Sequence, residues 1–508
     1  MTPPNLRQIA LTALQTRGLL SAFSPAALHE AETAIPDPAE PGPLHDLREL
    51  LWFSIDNDDT RDLDQLSFAE EIPGSEATRL LVAIADVSAR VQPGGAVDSH
   101  AAANTTSVYT AAGVFPMLPE VLSTDRTSLH EGQERLAMVV DMQVEADGTV
   151  AKSRIYRALV HNHAKLTYDR VSRWLDDGDA AAATPLPQLQ TVPGLEAQLR
   201  LHHRLAKHLR QWRQQRGALQ VNTVAARPVF QNGQLTDLQP DEKNSAKDLI
   251  ADIMIATNGA TARFLADSGY PSMRRFLQSP RRWDRIVELA AKHAATLPAA
   301  PNALALDGFL RSRRLADPAG FADLSLAVVK LLGSGEYAAA PGQVLDRSSP
   351  DRLPGTASLV GTAHFGLAVN DYAHSTAPNR RFPDLVTQRL LKAAIAGQPS
   401  PYRFEDLQAI AQHCTLQEDN ASKVERQVLK AAGAFLLHGR IGEIFDAIVT
   451  GAAAKGTFVR ISRPLLEGRV VHGFAGLDVG DTLRVKLLAV NAVRGYIDFA
   501  ALPESLAP

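Results

Sequence analysis

The sequence predicts an α+β multidomain chain: a small helical N-terminal module, a mixed α+β central domain and a C-terminal OB-fold β-barrel. Its first forty residues carry helical apolar spacing broken by glycine and proline. A β-textured stretch from about Leu50 to Asp147 then gives way to long helical patterns. The end of the chain, from Gly442 on, is five short β runs separated by glycine turns, the pattern of a small closed barrel. These transitions divide the chain into 1–45, 46–437 and 438–508.

Taken in order, "NLRQIALTALQTRG" predicts a helix that stops at Gly18, a C-cap residue. "SPAALHEAETA" predicts a second helix with Ser24 as N-cap and Pro25 at its first position. "IPDPAEPGPLHD", with four prolines and a glycine, reads as a linker. Two short helices joined by a turn resemble a helix-turn-helix, and a helical lid on the next domain is the alternative. "RLLVAIADVSARV" predicts a strand, and "RLAMVVDMQVEADGTV" a hairpin turning at Asp147-Gly148. Helical patterns dominate from about Leu166 to Asp267. They include the basic "LRLHHRLAKHLRQWRQQRGAL" and the long "SAKDLIADIMIATNGATARFLADSG". A further α-rich segment reaches roughly Phe435.

Composition sets limits. Apolar residues at 45% and charged residues at 21% are ordinary for a globular protein of several domains. No run of about 18 apolar residues suggests a membrane span. The opening "MTPPNLRQIALTAL" lacks the basic and apolar regions of a signal peptide. Cys414 is the only cysteine, so neither an internal disulfide nor a thiolate zinc site is available. A cytoplasmic location is expected. The net charge of −4 gives no global sign of nucleic-acid binding, which would need local basic patches. "RLHHRLAKHLRQWRQQR", "MRRFLQSPRRW" and "FLRSRRLAD" are such patches, or solvated helix faces. His364, His374 and His413 show no metal-binding spacing with one another and are read as structural or solvent-exposed.

The sharpest local feature is "SIDNDDTRDLDQ", which places five aspartates between Asp56 and Asp64 directly behind an apolar run. Such a cluster persists only if water solvates it or a cation neutralises it. A solvated acidic loop is the bland reading. "DNDDT" also fits the D-x-D-x-T of haloacid-dehalogenase-type phosphatases, without the usual residues around the threonine. An EF-hand fails, because Arg61 and Ser67 stand where glycine and glutamate are required.

A third reading accounts for more of the chain. "SIDNDDTRDLDQ" is similar to the ribonuclease II signature, an aspartate followed six, eight and nine residues later by further acids. Asp56, Asp62 and Asp64 match the first three. The resemblance continues through "SVYTAAGVFPMLP", "AKLTYDRVSRWL" and "HFGLAVNDYAHSTAPNRRFPDLVTQRLLKA", and covers most of residues 50 to 435. The last segment resembles the S-one-type RNA-binding barrel that follows this domain in the family.

The resemblance implies a magnesium-dependent hydrolytic exoribonuclease, with manganese as the alternative ion. It would degrade RNA processively from the 3′ end to nucleoside 5′-monophosphates and a short oligonucleotide. Asp56 and Asp62 would help hold the metal, Asp64 would sit beside the scissile phosphate, and Arg380 would face that phosphate. Tyr109 would pack on the terminal base and Tyr168 on the terminal nucleotide's ribose or phosphate. Asp252, Arg381, Lys455 and Phe458 would contact RNA. The implied partner is RNA, through single-stranded 3′ ends or duplexes with a 3′ overhang, with no membrane and a monomeric state.

The departures are specific. Gln65 replaces the fourth acid; its amide oxygen is a ligand without charge. Val221 falls where a second base-clamping aromatic belongs. The family's "IEE" reads "LIADIM", leaving Asp252 as the acid for the ribose. Most relatives also place two cold-shock-type barrels before the catalytic domain, more than some forty residues hold. The alternative function is a decayed RNA-binding or regulatory relative, with Gln65 as the lesion.

Overall fold

The computed structural model describes all residues except 1–5, 37–41, 177–185, 223, 232–233, 242, 278–279, 281, 319, 343–363, 370, 454–455 and 503–508. Helix α1 (Leu6–Thr16) buries Ile9, Ala10, Ala13 and Leu14, one stripe of a 3.6-residue period. Helix α2 (Pro25–Thr33) starts as the sequence predicts: Ser24 Oγ accepts the Ala27 N–H at 3.1 Å, and Pro25 occupies the first turn. Part of the proline-rich linker lies outside the described residues.

The central-domain sheet comprises β1 (Leu44–Asp46), β2 (Trp52–Asp56), β3 (Gln65–Glu71) and β4 (Thr78–Ala85), then two later strands. Between them come helix α3 (Ala96–Asn104) and a small hairpin, β5 (Val108–Thr110) with β6 (Gly113–Phe115). The later strands are β7 (Glu134–Val144) and the long β8 (Val150–Thr167). Their order is β1-β8-β2-β3-β4-β7, and β7 also pairs with β8, so the sheet curls back on itself. One strand manages this by changing partner. Up to His161, β8 runs antiparallel to β7, and from Asn162 to Thr167 it runs parallel to β2. Buried Asn162 marks the change, its Nδ2 donating to the Leu129 carbonyl at 2.8 Å. The β7–β8 turn falls at Asp147-Gly148 as read from the sequence. Gly148 has a φ of +87°, and Asp147 Oδ1 accepts the Thr149 N–H at 2.8 Å.

Helices α4 (Tyr168–Asp176), α5 (Pro187–Thr191), α6 (Leu195–Gln214) and α7 (Ser245–Asp267) follow. An antiparallel ribbon, β9 (Ala225–Gln231) with β10 (Gln234–Asp241), interrupts the region expected to be helical. A second pair, β11 (Ser272–Phe276) with β12 (Glu336–Ala340), interrupts the next. Between those strands, α8 (Trp283–Lys292), α9 (Ala303–Ala316) and α10 (Phe321–Leu332) share an apolar cluster that also takes Val221. Helices α11 (Phe382–Ile395) and α12 (Phe404–Leu437) complete the domain.

The C-terminal strands are β13 (Ile444–Ala453), β14 (Gly456–Ser462), β15 (Leu465–His472), β16 (Thr482–Asn491) and β17 (Tyr496–Ala501). They close as β13-β14-β15-β17-β16, the five-stranded OB-type barrel expected. Its core, with Val449, Val459, Val485 and Phe499, is continuous with apolar residues of α12 and α1.

The helix-turn-helix expectation is corrected. Helix α1 packs along α12, whereas α2 packs on α3. The Glu30 carboxylate accepts the Ala96 N–H at 2.6 Å, at the N-terminus of α3, where a negative charge is favoured. Asn104 bonds both the N–H and the carbonyl of Leu20, at 2.8 and 2.9 Å. The two helices are therefore tied separately to the rest of the chain. No helix among the described residues is long and apolar enough to cross a membrane.

Candidate active site

Asp56 ends β2, and the parallel register sets it opposite Thr167 of β8. Tyr168, the next residue and the first of α4, therefore stands beside it. The loop from Asn57 to Asp64 is held from three sides. Lys165 Nζ donates to the carbonyls of Asp58 and Thr60 at 3.2 and 2.7 Å. Ser128 Oγ donates to the Arg61 carbonyl at 2.7 Å and accepts the Leu63 N–H at 2.9 Å, which fixes both neighbours of Asp62. The Ala85 N–H donates to the Asp64 carbonyl at 2.9 Å, joining the loop to the end of β4.

Asp64 is 4% exposed and fully engaged. Its Oδ1 accepts the Asn379 N–H at 3.1 Å, and its Oδ2 accepts Arg380 Nε–H at 3.2 Å. The segment carrying Asn379 and Arg380 is anchored in turn: Thr127 Oγ1 donates to Asn379 Oδ1 at 2.6 Å. The Ser107 N–H donates to the Arg380 carbonyl at 3.0 Å, which brings the β5–β6 hairpin alongside. On that hairpin Tyr109 directs its hydroxyl to Asp62 Oδ2 at 3.4 Å, and Glu425 Oε1 accepts its N–H at 2.9 Å. Tyr109 remains 44% exposed, so its ring is available to a ligand.

Burial dominates the electrostatics. It pushes the Asp56 carboxyl up to about 7, with the Asp64 charge adding to the rise and Arg380 and Lys165 opposing it. Burial likewise pushes Asp64 up to about 7, against the pull of Arg380. The Tyr168 hydroxyl is raised by burial and then by the charge of Asp56. Burial works against the Arg380 guanidinium, but Asp64, Tyr109 and Asp62 hold its pKa above the ordinary value.

The oxygen donors fit a hard divalent cation. Asp56 Oδ2 is buried without a hydrogen-bond partner, a position that cation coordination would satisfy. Among the described residues no three His, Cys, Asp or Glu side chains are grouped to enclose an ion. Magnesium does not require such a cage, since it commonly takes one or two carboxylates and completes its shell with water and substrate phosphate. Gln65, first in β3 and 8% exposed, follows Asp64 directly.

A stability experiment isolates this electrostatic cost. A carboxyl whose pKa rises from 3.8 unfolded to about 7 folded favours folding fully below pH 4. That contribution is lost as pH rises through 7. In chelator, Asp64→Asn is expected to melt above the wild-type protein at pH 8, with the difference shrinking toward pH 5. Magnesium should raise the wild-type melting temperature more at pH 8 than at pH 5. Differential scanning calorimetry at both values checks both statements.

Other expected site residues lie elsewhere. Asp252 is buried between α6 and α7, where it bonds Arg213 and accepts from Arg210 Nη2 at 2.7 Å. Its expected ribose contact is thus replaced by a clamp between two helices. Asp252→Ala would leave Arg213 buried and unpaired, a loss on the order of 3 kcal/mol measurable by urea denaturation. Arg381 is committed inward, donating to Asp384 Oδ1 at 2.7 Å at the start of α11, so it braces the segment carrying Arg380. Phe458 lies on β14 with Lys430 Nζ 5.3 Å from its ring centre. Lys455 lies outside the described residues.

Lys165, Ser128, Thr127 and Asn379 were missed as positioning residues. Asn379 is adjacent to Arg380, and Lys165 lies three residues before Tyr168 in the same motif. Nothing local distinguishes Thr127 or Ser128, whose partners lie far away in sequence.

Residues 44–397 match the RNB domain, and residues 443–502 match the RNase II-type exonuclease C-terminal S1 domain. The chain belongs to the RNB family. It is 29% identical to ribonuclease R of Vibrio parahaemolyticus over 93% of its own length and 57% of the relative's. It is 31% identical to ribonuclease R of Thermotoga maritima, over 90% of this chain and 65% of that protein. The chain thus spans about three fifths of the length of the curated relatives it matches. Mycoplasma genitalium RNase R in complex with ribose-methylated single-stranded RNA has a similar fold. Its TM-score is 0.83 at 20% identity, covering 98% of this chain and 78% of that one. Yeast Ssd1, described as a pseudonuclease, shares the fold at a TM-score of 0.66 and 16% identity, covering 91% of this chain and 55% of its own.

Proposed function

We propose that this chain is a hydrolytic 3′→5′ exoribonuclease that acts on single-stranded RNA 3′ ends and releases nucleoside 5′-monophosphates. The observation that carries this reading is the Asp64–Arg380 pair, at 3.2 Å, beside a buried Asp56 oxygen that has no partner. A solvent-reachable cation paired to a buried carboxylate in a tyrosine-flanked cleft suits a phosphodiester whose charge increases on the way to the transition state. Relatives named ribonuclease R support the same reading.

Asp56 and Asp62, with Asp64 next to them and Gln65 as an uncharged neighbour, would hold magnesium or manganese. That ion would supply charge neutralisation at the phosphate and acidify a bound water. In this reading, Tyr109 stacks on the terminal base and Tyr168 abuts the terminal sugar, seating the last phosphodiester over Asp64. The Asp64 carboxylate takes the proton of the attacking water. The bond between phosphorus and the 3′ oxygen of the preceding nucleotide breaks. The departing 3′ oxygen takes up a proton from solvent, so the shortened RNA leaves with a 3′-hydroxyl, and the last nucleotide leaves as its 5′-monophosphate. Arg380 uses one N–H on Asp64 and keeps the others for the phosphate oxygens, where charge accumulates.

Stacking contributes about 1–3 kcal/mol per base, so Tyr109→Ala should raise KM for a short single-stranded RNA roughly tenfold. Initial rates across RNA concentration measure this. Digestion of 5′-labelled and 3′-labelled RNA tests the overall reading. Label on the 3′ end should appear at once as mononucleotide, while the 5′ label shortens stepwise. Gln65 favours a second reading, an RNA-binding relative without turnover; tight binding with no product in magnesium or manganese would support it instead.

A further inference from the structure

Apart from the aspartate loop, the chain forms a solvent-open cavity of about 200 Å3 whose wall includes Arg90, Arg126 and Arg135. Three acids also line it, and they are largely accounted for elsewhere. Asp86 is paired with Lys392 at 2.7 Å, with Arg157 at 4.0 Å, and Glu134 with Arg48 at 2.9 Å. Asp125 approaches Arg135 only to 3.9 Å. Among the described residues, Arg90 and Arg126 have no carboxylate partner. Both donate to the same Ala34 carbonyl, at 2.7 and 3.2 Å, which holds two guanidinium groups close together. Burial, then the charges of Arg126 and Arg135, pull the Arg90 pKa below its ordinary value.

Capping the C-terminal end of α2 explains one nitrogen of each: Arg90 Nη1 on the Ala34 carbonyl, and Arg126 Nη1 on the carbonyls of Ala31 and Ala34. Arg135 is itself engaged by the Ser128, Glu134 and Asp125 carbonyls and by Gln133 Oε1. None of these contacts accounts for the remaining N–H groups of Arg90 and Arg126, or for the cavity. The wall is also shared with the candidate active site. Thr127, which lines the cavity, holds Asn379, whose N–H holds Asp64. Arg135 Nε–H donates to the Ser128 carbonyl at 3.1 Å, and the Ser128 hydroxyl braces the residues on either side of Asp62.

We propose that the Arg90–Arg126–Arg135 cavity is a binding site for a phosphate monoester dianion, carried by inorganic phosphate or by a nucleoside 5′-monophosphate. A dianion there neutralises the Arg90 and Arg126 guanidinium groups, using the N–H groups they keep free in the bidentate geometry that arginine favours, with the Arg135 charge behind them. Its occupancy bears directly on Thr127 and Ser128, the supports of the aspartate loop. That second consequence rests on the exoribonuclease reading, in which the monophosphate is the product; the binding itself does not.

The test uses the full chain in chelator, so no turnover is needed and its failure is distinguishable from failure of the exonuclease reading. Arginines of the wild-type protein are modified with phenylglyoxal, alone and with millimolar phosphate, AMP or single-stranded RNA, and mapped by mass spectrometry. Phosphate and AMP should each slow modification of Arg90 and Arg126 at least fivefold and leave the exposed Arg494 unchanged. Protection by AMP alone would support the site with the nucleotide as occupant. Protection by RNA but neither monoester, or no protection at all, would overturn it. Calorimetry should show AMP binding lost in Arg90→Gln/Arg126→Gln and kept in Arg380→Gln. The reverse pattern would assign the anion to the aspartate cleft and overturn the proposal.

Discussion

Replacing Asp64 by Asn is expected to reduce monophosphate release by ~10³-fold or more, equivalent to about 4 kcal/mol of transition-state stabilisation. Asn keeps the shape and still accepts the Asn379 N–H, but it removes the charge that faces Arg380 and the oxygen able to take a proton. RNA binding should survive, because Tyr109 and Tyr168 stand on other elements. Gel-shift affinity set beside single-turnover rates separates the two effects. A variant that lost affinity and rate in equal proportion would point to collapse of the cleft, not to loss of chemistry.

Arg380→Gln is expected to cost ~10²–10³-fold in turnover, the usual range for removing one preorganised donor from a developing oxyanion. It acts on folding in the opposite sense from Asp64→Asn. With Arg380 gone, the 4%-exposed Asp64 carboxylate loses its cationic partner, so the metal-free protein should become less stable at pH 8. Opposite stability changes together with a shared loss of turnover would tie both residues to one electrostatic unit. Rates in saturating RNA and melting curves in chelator report the two halves.

The legible part of the site was the part set by short-range sequence. Asp56, Asp62 and Asp64 lie on one strand end and its loop, so their spacing alone puts their charges within reach of one another. Tyr168 was readable only from its motif; the long-range parallel pairing of Asp56 with Thr167 is what leaves it beside Asp56. Tyr109 and Arg380 were readable only as members of longer motifs. Their meeting depends on a hydrogen bond between Ser107 and Arg380, across most of the domain.

Where the reading failed, tertiary contacts decided. Asp252 was read as the acid for the ribose, and nothing local announced that α6 brings two arginines onto it. The ribbon β9–β10 was lost inside a helical region, although "FQNGQL" carries the Asn-Gly signal of a tight hairpin. The barrel was legible because its glycine-punctuated runs are local. The separation of α1 from α2 was not, because it depends on α12 and α3, which come later in the chain.

The central claim is that this cleft hydrolyses the last phosphodiester of RNA. Its most direct test is digestion in water enriched in oxygen-18, with magnesium, followed by mass analysis of the released nucleotide. The expected result is one heavy oxygen on the phosphate of each released nucleoside 5′-monophosphate. Release of unlabelled nucleotide, of a 3′-phosphate, or of nothing while RNA stays bound would contradict it.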